Sequence, residues 1–308
     1  MAHEYHTFQI KSPADGLMID CLEYKTPSEP KAVVQMAHGM CEYKDRYIPL
    51  MEYLSAHGYI CIMNDHRGHG KSIRSMDDLG HFYEPGGQGL ITDMLAVTDY
   101  IQKTYPDLPL LMFGHSMGSF AVRTYIKEHD DLIKGLIVCG SPSDTPARGM
   151  GKVILNILKL FKGAHGKSNL ADNLFSKSFN KNFKEEGPCA WICTDPEVVK
   201  AYLADPFCGY SFTINGYQSL MYLMSETYSK KGWKVSNPDL PIRFISGEND
   251  PCATDRAHFL KAVDFIRSVG YRNVEEKMYP GMRHEIHNEK GKEQVWQDIL
   301  AYLDSFLS

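Results

Sequence analysis

The sequence contains no apolar run that approaches the ~18 residues a membrane-spanning helix requires. This absence excludes a transmembrane protein of the helical kind. The first residues, Met1 to His6, carry neither a basic segment nor an apolar core, so we expect no secretory signal peptide. From both absences we expect a cytoplasmic protein, and peripheral contact with a membrane is compatible with them.

Cysteine pairs with the spacing of metal or redox sites are also missing. The eight cysteines are scattered without a CxxC motif. Cys189 and Cys193 lie close together, but no second pair and no nearby histidine at ligand spacing accompanies them, which disfavours a zinc site. Without an export signal, we expect all of these residues to be reduced thiols and most of them to be buried.

An excess of positive charge is absent as well. The chain carries 33 Lys and Arg residues against 38 Asp and Glu residues, a net charge of −5, so we expect no nucleic-acid partner. A hydrophobic fraction of 43% and a charged fraction of 23% are typical of a globular protein. The 308 residues suffice for one large α/β domain with an insertion or for two ordinary domains.

Short apolar runs and helix-like amphipathic segments alternate in two parts of the chain. Such alternation predicts a mostly parallel sheet with helices on both faces. The first two strands flank the turn cluster Pro13–Gly16 and predict an antiparallel hairpin. The predicted strands lie near 6–10, 17–24, 31–37, 59–63, 110–113, 133–139, 241–246 and 274–279, and the predicted helices near 48–57, 88–104, 119–127, 255–269 and from 292 onwards.

The alternation is interrupted between residues 143 and 237, where no buried-strand run occurs. We expect a helical cap here, inserted into an α/β core formed by residues 1–142 and 238–308. The first part of this insertion, 147–184, is basic, with eight Lys and Arg residues against one acid, Asp172.

The pentapeptide Gly114-His115-Ser116-Met117-Gly118 follows the apolar run 110–113 and precedes a helix-like segment. A strand, a sharp turn with a central serine and a helix form the context of a nucleophile elbow. The two glycines fit a strained turn, because a Cβ at either position would clash with a neighbouring strand or helix. We therefore predict that Ser116 is a nucleophile, and an ordinary tight turn is the alternative.

A serine hydroxyl needs a base that takes its proton and a third group that orients the base. Because the carboxyl ends of parallel strands meet at one edge of a sheet, the loops after the late strands are the place to look. Asp250 is the predicted acid, with Glu248 and Asp255 as alternatives. His284 is the predicted base, with His287 as its alternative. The chain order serine, acid, histidine is the one expected for a serine on such an elbow.

Acyl transfer also needs N–H groups directed at the developing oxyanion. The elbow supplies the backbone N–H of Met117. The loop after the strand near 31–37 supplies a second donor, which we assign to the backbone N–H of Met40.

Two glycine-containing motifs do not indicate a nucleotide site. Gly70-Lys71-Ser72 resembles the end of a phosphate-binding loop, but the position of its first glycine is Asp65. We interpret 65–72 as a structural hydrogen-bonded turn. The cluster Gly86–Gly89 does not fit the dinucleotide fingerprint, and we expect a flexible surface loop there.

Five segments in order carry a resemblance to a known family. They are His38–Tyr43 with Arg46 and Tyr47, Asp65–Ser72, Gly114–Ser119, Gly247–Asp250 and Tyr279–Glu285. In these segments the chain resembles the monoacylglycerol lipase/lysophospholipase-like serine hydrolases of the α/β-hydrolase fold. The resemblance implies a mostly parallel eight-stranded sheet with helices on both faces and a helical cap insertion.

Family roles then fall on Ser116, Asp250 and His284 as the triad, with Met40 and Met117 as oxyanion donors. The chain departs from the family pattern at two positions outside the triad. Ser119 stands where glycine is common, and Tyr43 stands where the early loop often has histidine. The second departure lies on the alcohol side of the expected pocket.

The resemblance implies a serine hydrolase that cleaves carboxylic esters of lipophilic acyl chains through an acyl-serine intermediate, with no cofactor and no metal. Monoacylglycerols or lysophospholipids are the expected substrates. The alternatives are a broad-specificity carboxylesterase, a cap-bearing serine aminopeptidase and, as the most distant one, a non-catalytic binding protein on the same fold. The sequence predicts neither the acyl length, the head group nor the oligomeric state.

One segment of the predicted cap has the pattern of a basic amphipathic helix. Two interpretations fit it: an element that touches a membrane surface, or a helix that packs its apolar face onto the core and acyl tunnel. The apolar side is formed by Val153, Ile154, Ile157, Leu158, Leu160 and Phe161, and the polar side by Lys152, Asn156 and Lys159.

Overall fold

A sheet of eight strands runs through the computed structural model, which describes residues 5–145, 148–175 and 177–307. The strands are β1 (Tyr5–Lys11), β2 (Met18–Tyr24), β3 (Ala32–Ala37), β4 (Tyr59–Asn64), β5 (Leu110–His115), β6 (Gly135–Cys139), β7 (Ile242–Gly247) and β8 (Val274–Tyr279). Their spatial order is β1-β2-β4-β3-β5-β6-β7-β8. The pairs β1–β2 and β2–β4 are antiparallel, and all other neighbours are parallel. The predicted hairpin and the predicted mostly parallel sheet are confirmed.

Helices follow the strands as the alternating pattern predicts. The described part of the chain contains α1 (Ile48–Ala56), α2 (Gly86–Thr104), α3 (Met117–His129), α4 (Arg148–Lys162), α5 (Asn169–Phe175), α6 (Pro196–Ala204), α7 (Ile214–Thr227), α8 (Arg256–Ser268) and α9 (Lys292–Ser305). A 3-10 segment, Lys177–Glu186, joins the α5 region to the chain before α6.

The sheet is covered on both faces, which explains why the central strands β3, β4, β5 and β6 are buried along their whole length, whereas the edge strands β1 and β8 carry exposed polar residues. Val33 and Val34 are consecutive in β3 and point to opposite sides, as side chains of a strand must. Val33 belongs to the core that contains Val97 of α2, whereas Val34 belongs to the core that contains Leu54 of α1 and Ile299 of α9.

The prediction of a flexible surface loop at Gly86–Gly89 is wrong. These glycines form the first turn of α2 instead. A Cβ on Gly87 would lie 2.7 Å from the Tyr222 ring, and one on Gly89 would lie 2.6 Å from the guanidinium carbon of Arg67. The glycines therefore allow close packing of α2 against α7 and a buried arginine, which a sequence pattern does not reveal.

The loop 65–72 has the structural role that the sequence predicts. The Asp65 carboxylate accepts hydrogen bonds from the Lys44 backbone N–H at 2.9 Å and the Lys71 N–H at 2.8 Å. It also pairs with Lys44 Nζ at 2.9 Å. A Cβ on Gly70, whose φ is +46°, would lie 2.2 Å from an Asp65 carboxylate oxygen. The glycine permits this tight turn.

The helices α4 to α7 all lie in the region 143–237. The β pairing among the described residues of this region is one isolated bridge between Lys167 and Thr213. Helix α7 packs against α2, α3 and α4. The division into a core of 1–142 and 238–308 and a cap of 143–237 stays a prediction. Within the ranges that the structure describes, no helix has both the length and the apolar character needed to cross a membrane.

Candidate active site

Ser116 lies in a strained turn between β5 and α3. Its backbone has φ 55° and ψ −116°, a combination that residues with a Cβ rarely adopt. The turn is held by the Ser116 N–H, which donates to the Cys139 carbonyl at 3.0 Å, and by the Ser119 N–H, which donates to the Ser116 carbonyl at 2.9 Å. These bonds offset the strain and give the turn the geometry of a nucleophile elbow.

The two glycines of the elbow have no room for a side chain. A Cβ on Gly118 would lie 2.2 Å from the carbonyl oxygen of Ala37 in β3. A Cβ on Gly114 would lie 2.5 Å from the Gly118 carbonyl oxygen. Both obstacles are backbone atoms, which cannot rotate away. The clashes expected from the sequence are therefore present.

Asp250 and His284 lie together at the carboxyl ends of β7 and β8. The His284 Nδ1 is 2.9 Å and 3.0 Å from the two carboxylate oxygens of Asp250. Asp250 also accepts hydrogen bonds from the Ser246 hydroxyl at 3.1 Å and the Cys252 N–H at 2.8 Å. Because Nδ1 is engaged by the acid, Nε2 is the ring nitrogen that remains for another partner.

The alternatives from the sequence do not meet at this point. Glu248 is exposed. Asp255 is also exposed and caps α8 by accepting the His258 N–H at 2.8 Å. His287 is buried, and its ring stacks on Tyr47 with the centroids 4.8 Å apart. The structure therefore brings together Asp250 and His284 and separates the other candidates from them.

The two partners shift each other's protonation. Burial raises the pKa of Asp250, but the charge and hydrogen bond of His284 outweigh it and hold that pKa below its usual value. Burial lowers the pKa of His284, but the nearby Asp250 carboxylate raises it well above 6.5. For His287, burial dominates and lowers the pKa, so this ring is neutral.

The loop 38–41 lies against the elbow. A Cβ on Gly39 would lie 3.1 Å from the Ser116 Cβ. The next residues are held from the cap side, where the Cys41 carbonyl accepts the Gly209 N–H and the Tyr202 hydroxyl, each at 3.0 Å. Among the described residues, neither the Met40 nor the Met117 backbone N–H donates to a protein acceptor. The assignment of both groups as oxyanion donors stays a prediction.

Two cavities meet at Ser116 and share Met40 and Trp191 as lining residues. Both linings are mainly apolar. The carboxylate cavity, of about 370 Å³, also contains polar groups of Glu42, Asp172, Asn180, Ser211, His284 and Glu285. The apolar cavity, of about 420 Å³, is lined by Phe120, Ile154, Leu174, Phe175, Leu220 and Met221, with Asp144, Thr145, Arg148, Thr254 and His258 as polar residues of its lining. Both volumes lie in the range of small-molecule sites, about 300–1,000 Å³.

Residues outside the predicted triad also contribute to the site. The Trp191 ring lies 5.0 Å from the His284 ring, centroid to centroid, and belongs to the segment 143–237 that the sequence predicts as a cap. A buried group formed by Glu42, Arg46 and Glu285 lies beside the 38–41 loop. The acidic and basic residues were visible in the motif segments, but their pairing across 239 positions of sequence was not.

A metal site is a poor fit to these residues. In the described part of the chain, His115, Cys139 and His287 present ligand atoms within 4.8 Å of one another. Burial raises the pKa of the Cys139 thiol, which opposes the thiolate that a metal would bind. The second such group contains Asp250 and His284, which already pair with each other. The absence of a metal cofactor stays a prediction.

Known proteins resemble this chain along most of its length. A sequence profile of the family described as serine aminopeptidase, S33, matches residues 28–291. The chain belongs to this family. Among the relatives with similar sequences, a monoglyceride lipase of Mus musculus is 32% identical over 96% of this chain and 88% of the relative. A monoacylglycerol lipase of Mycolicibacterium smegmatis is 25% identical over 91% of this chain and 90% of the relative.

A solved structure shares the whole architecture. The structure of a highly thermostable carboxyl esterase from Bacillus coagulans, in complex with glycerol, matches the structure of the present chain with a TM-score of 0.91. The sequence identity is 25%, and the match covers 99% of both chains. The predicted α/β-hydrolase fold is confirmed. The predicted class of enzyme, a carboxylic-ester hydrolase similar to monoacylglycerol lipases, is confirmed as well.

Proposed function

We propose that this family member hydrolyses monoacylglycerols and related lipophilic monoesters through an acyl-serine intermediate. The observation that carries the proposal is the position of Ser116 where the apolar cavity meets the carboxylate cavity. An ester with a long acyl chain and a hydroxylated alcohol could place its chain against the apolar lining and its hydroxyl groups near the carboxylates. The names of the mouse and mycobacterial relatives support the same substrate class.

In the proposed mechanism, Ser116 Oγ attacks the ester carbonyl while His284 Nε2 accepts the hydroxyl proton. Asp250 holds His284 by Nδ1 and stabilises the imidazolium that forms. The N–H groups of Met40 and Met117 donate to the tetrahedral oxyanion. His284 then protonates the departing alcohol. A water molecule, activated by the same base, hydrolyses the acyl-serine and regenerates the hydroxyl.

The two cavities suggest which side holds which part of the substrate. The acyl chain would fill the apolar cavity, because each CH₂ group removed from water contributes about 0.8 kcal/mol. The hydroxylated alcohol would face the carboxylate cavity, where carboxylates and hydroxyls can form hydrogen bonds. The alcohol then leaves past Trp191, which lies over His284.

The carboxylates of the carboxylate cavity give less support to an aminopeptidase activity. Recognition of a free amine needs a carboxylate that is not already paired. Asp172, the acid in the basic part of the cap, is buried and accepts the Tyr217 hydroxyl at 2.7 Å as well as the Ser211 hydroxyl. Glu42 and Glu285 are both paired with Arg46.

A hydrolysis panel tests the proposed substrate class. For esters of increasing acyl length, we expect kcat/KM to rise roughly fourfold per CH₂ until the apolar cavity is filled. The panel compares p-nitrophenyl acetate and butyrate, monoacylglycerols of medium and long chain, lysophosphatidylcholine and a prolyl amide. A preference for acetate would indicate a broad esterase, and faster turnover of the amide would indicate an aminopeptidase. Either result would contradict the proposal.

We further propose that α4 brings the enzyme to a lipid surface. Leu160 and Phe161 at its end are each 84% exposed, and Val153 and Ile157 are exposed as well. Leu155 is buried, so the helix uses one side for packing and another side remains uncovered. The exposed apolar side chains support the membrane-surface interpretation, which remains part of this proposal.

Charge complementarity favours an anionic lipid surface. The exposed lysines Lys152, Lys159 and Lys162 lie on the same helix as the exposed apolar side chains. Apolar side chains that enter the acyl boundary, with cations at the head-group level, are the pattern of an interfacial helix. This surface lies next to the apolar cavity, because other residues of α4, among them Gly151 and Ile154, line that cavity.

We expect the double substitution Leu160→Ser, Phe161→Ser to weaken binding to anionic phosphatidylglycerol vesicles by about tenfold or more, because each side chain contributes on the order of 1.5–3 kcal/mol when buried. Vesicle sedimentation measures the partition. Leu203→Ser is the matched control, since Leu203 is exposed on α6. Unchanged binding of the double variant, or equal loss in the control, would show that this part of α4 is not the membrane element.

A further inference from the structure

Glu42 connects the loop 38–41 to the elbow from behind. Its Oε1 accepts the Gly39 N–H at 2.7 Å and the Tyr47 hydroxyl at 2.8 Å. The same oxygen lies 3.3 Å from His115 Nδ1, and His115 directly precedes Ser116. One carboxylate oxygen thus holds both of the segments that carry the proposed oxyanion donors.

Arg46 extends this connection to the histidine loop. Its NH1 donates to Glu42 Oε2 at 2.6 Å and to Glu285 Oε1 at 2.7 Å. Its NH2 donates to Glu285 Oε2 at 2.6 Å. Glu285 directly follows His284. The buried group therefore joins three segments: the 38–41 loop, the elbow and the loop that carries the base.

A buried group of charged side chains such as Glu42, Arg46 and Glu285 is an inefficient way to stabilise a fold. Burial of charges carries a desolvation cost, and well-packed apolar residues often stabilise a fold equally well. Here two carboxylates surround one guanidinium, and both acids are almost fully buried. Burial raises the pKa of Glu42, but the Arg46 charge and the His115 contact hold it well below its usual value, so Glu42 remains a carboxylate acceptor.

We propose that Glu42 is a positioning residue: it fixes the 38–39 peptide against the elbow through the Gly39 N–H and thereby sets where the following 39–40 peptide, which carries the Met40 N–H, begins. His38 Nδ1, 2.7 Å from the Gly39 carbonyl oxygen, contacts that second peptide directly. The geometry leaves little tolerance, because a Cβ on Gly39 would meet Glu42 Oε1 at 2.5 Å and the Ser116 Cβ at 3.1 Å. Oxyanion donors act only when they are aimed at the site of developing charge, and a displacement of about 1 Å costs on the order of 100-fold in rate. This inference rests on the proposed esterase function.

Glu42→Gln is the appropriate test, because Gln has nearly the same volume but places an N–H₂ group next to one of the existing donors. We expect kcat for p-nitrophenyl butyrate to fall about 10- to 100-fold, with KM unchanged within about twofold. Affinity for an alkyl boronic acid, which forms a tetrahedral adduct with the serine, should fall by the same factor as kcat/KM. Rates are expressed per site titrated with a fluorophosphonate.

Asp93→Asn is the matched control. Asp93 is also a buried carboxylate paired with a buried arginine, since Arg67 Nε donates to it at 2.8 Å, but neither residue is among those that line the two cavities at Ser116. This variant should lose thermal stability and keep the wild-type kcat. A wild-type kcat in Glu42→Gln, or a loss confined to KM, would overturn the positioning role. If the wild-type enzyme itself neither hydrolysed the ester nor reacted with the fluorophosphonate, the proposed function would fail instead.

Discussion

Replacement of Ser116 by Ala is expected to lower kcat for ester hydrolysis by about 10⁴- to 10⁶-fold. The hydroxyl is the group that forms the acyl-enzyme, and no other side chain in the mechanism can replace it. The oxyanion donors and the cavities remain, so substrate binding should persist. Because Ala adopts the strained φ of 55° no more easily than Ser, the free energy of unfolding should change little.

Ester hydrolysis and fluorophosphonate labelling measure this effect on protein with an unchanged circular dichroism spectrum. Ser116→Gly provides an informative comparison. It should be equally inactive but more stable, because glycine relieves a backbone strain of about 1–3 kcal/mol. Near-normal turnover by either variant would end the assignment of Ser116. A Gly variant less stable than the Ala variant would contradict the strain that we ascribe to the elbow.

The second large effect is expected from Asp250→Asn, which should lower kcat by about 10⁴-fold. The asparagine retains the shape but removes the charge that stabilises the imidazolium and orients His284. The control is Glu248→Gln, which changes an exposed carboxylate two residues away in the same loop. We expect wild-type activity from this control, whereas equal losses in both variants would argue that Asp250 is not the specific partner.

The pH profile follows from the same pair. His284 must be neutral to accept a proton, so kcat/KM falls as the pH decreases through its pKa. Since Asp250 holds this pKa above 6.5, we expect the acid limb of the wild-type enzyme above pH 6.5. In Asp250→Asn, the carboxylate that raises the pKa of His284 is gone, whereas burial still lowers this pKa. The acid limb should therefore shift to lower pH. A limb that does not move would assign the titration to another group.

The amino-acid pattern determined much of the fold because its signals are local. The apolar runs of the central strands, the amphipathic helices and the turn cluster at Pro13–Gly16 each express a preference of neighbouring residues. The one clear misjudgement, at Gly86–Gly89, shows the limit of such signals. Glycines there serve the close approach of Tyr222 and Arg67, which lie far away in sequence.

In the candidate site, too, local features are visible in the sequence, whereas contacts between distant residues are not. A strained serine between two glycines is recognisable in five consecutive residues, because the steric requirement is local. The choice of Asp250 over Glu248 and of His284 over His287 needed the packing of β7 and β8, since only contact distances separate residues of the same chemical type.

By itself, the sequence determined the α/β class, the order of the strands along the chain, the sharp turn at Ser116 and the residue types of the proposed triad. Tertiary structure alone decided which side chains meet, namely Asp250 with His284 and Glu42 with Arg46 and Glu285, and that two cavities adjoin at the serine. The physical reason is that backbone preferences depend on a few neighbouring residues. Ion pairs, cavities and exposed surfaces depend on segments brought together by the whole chain.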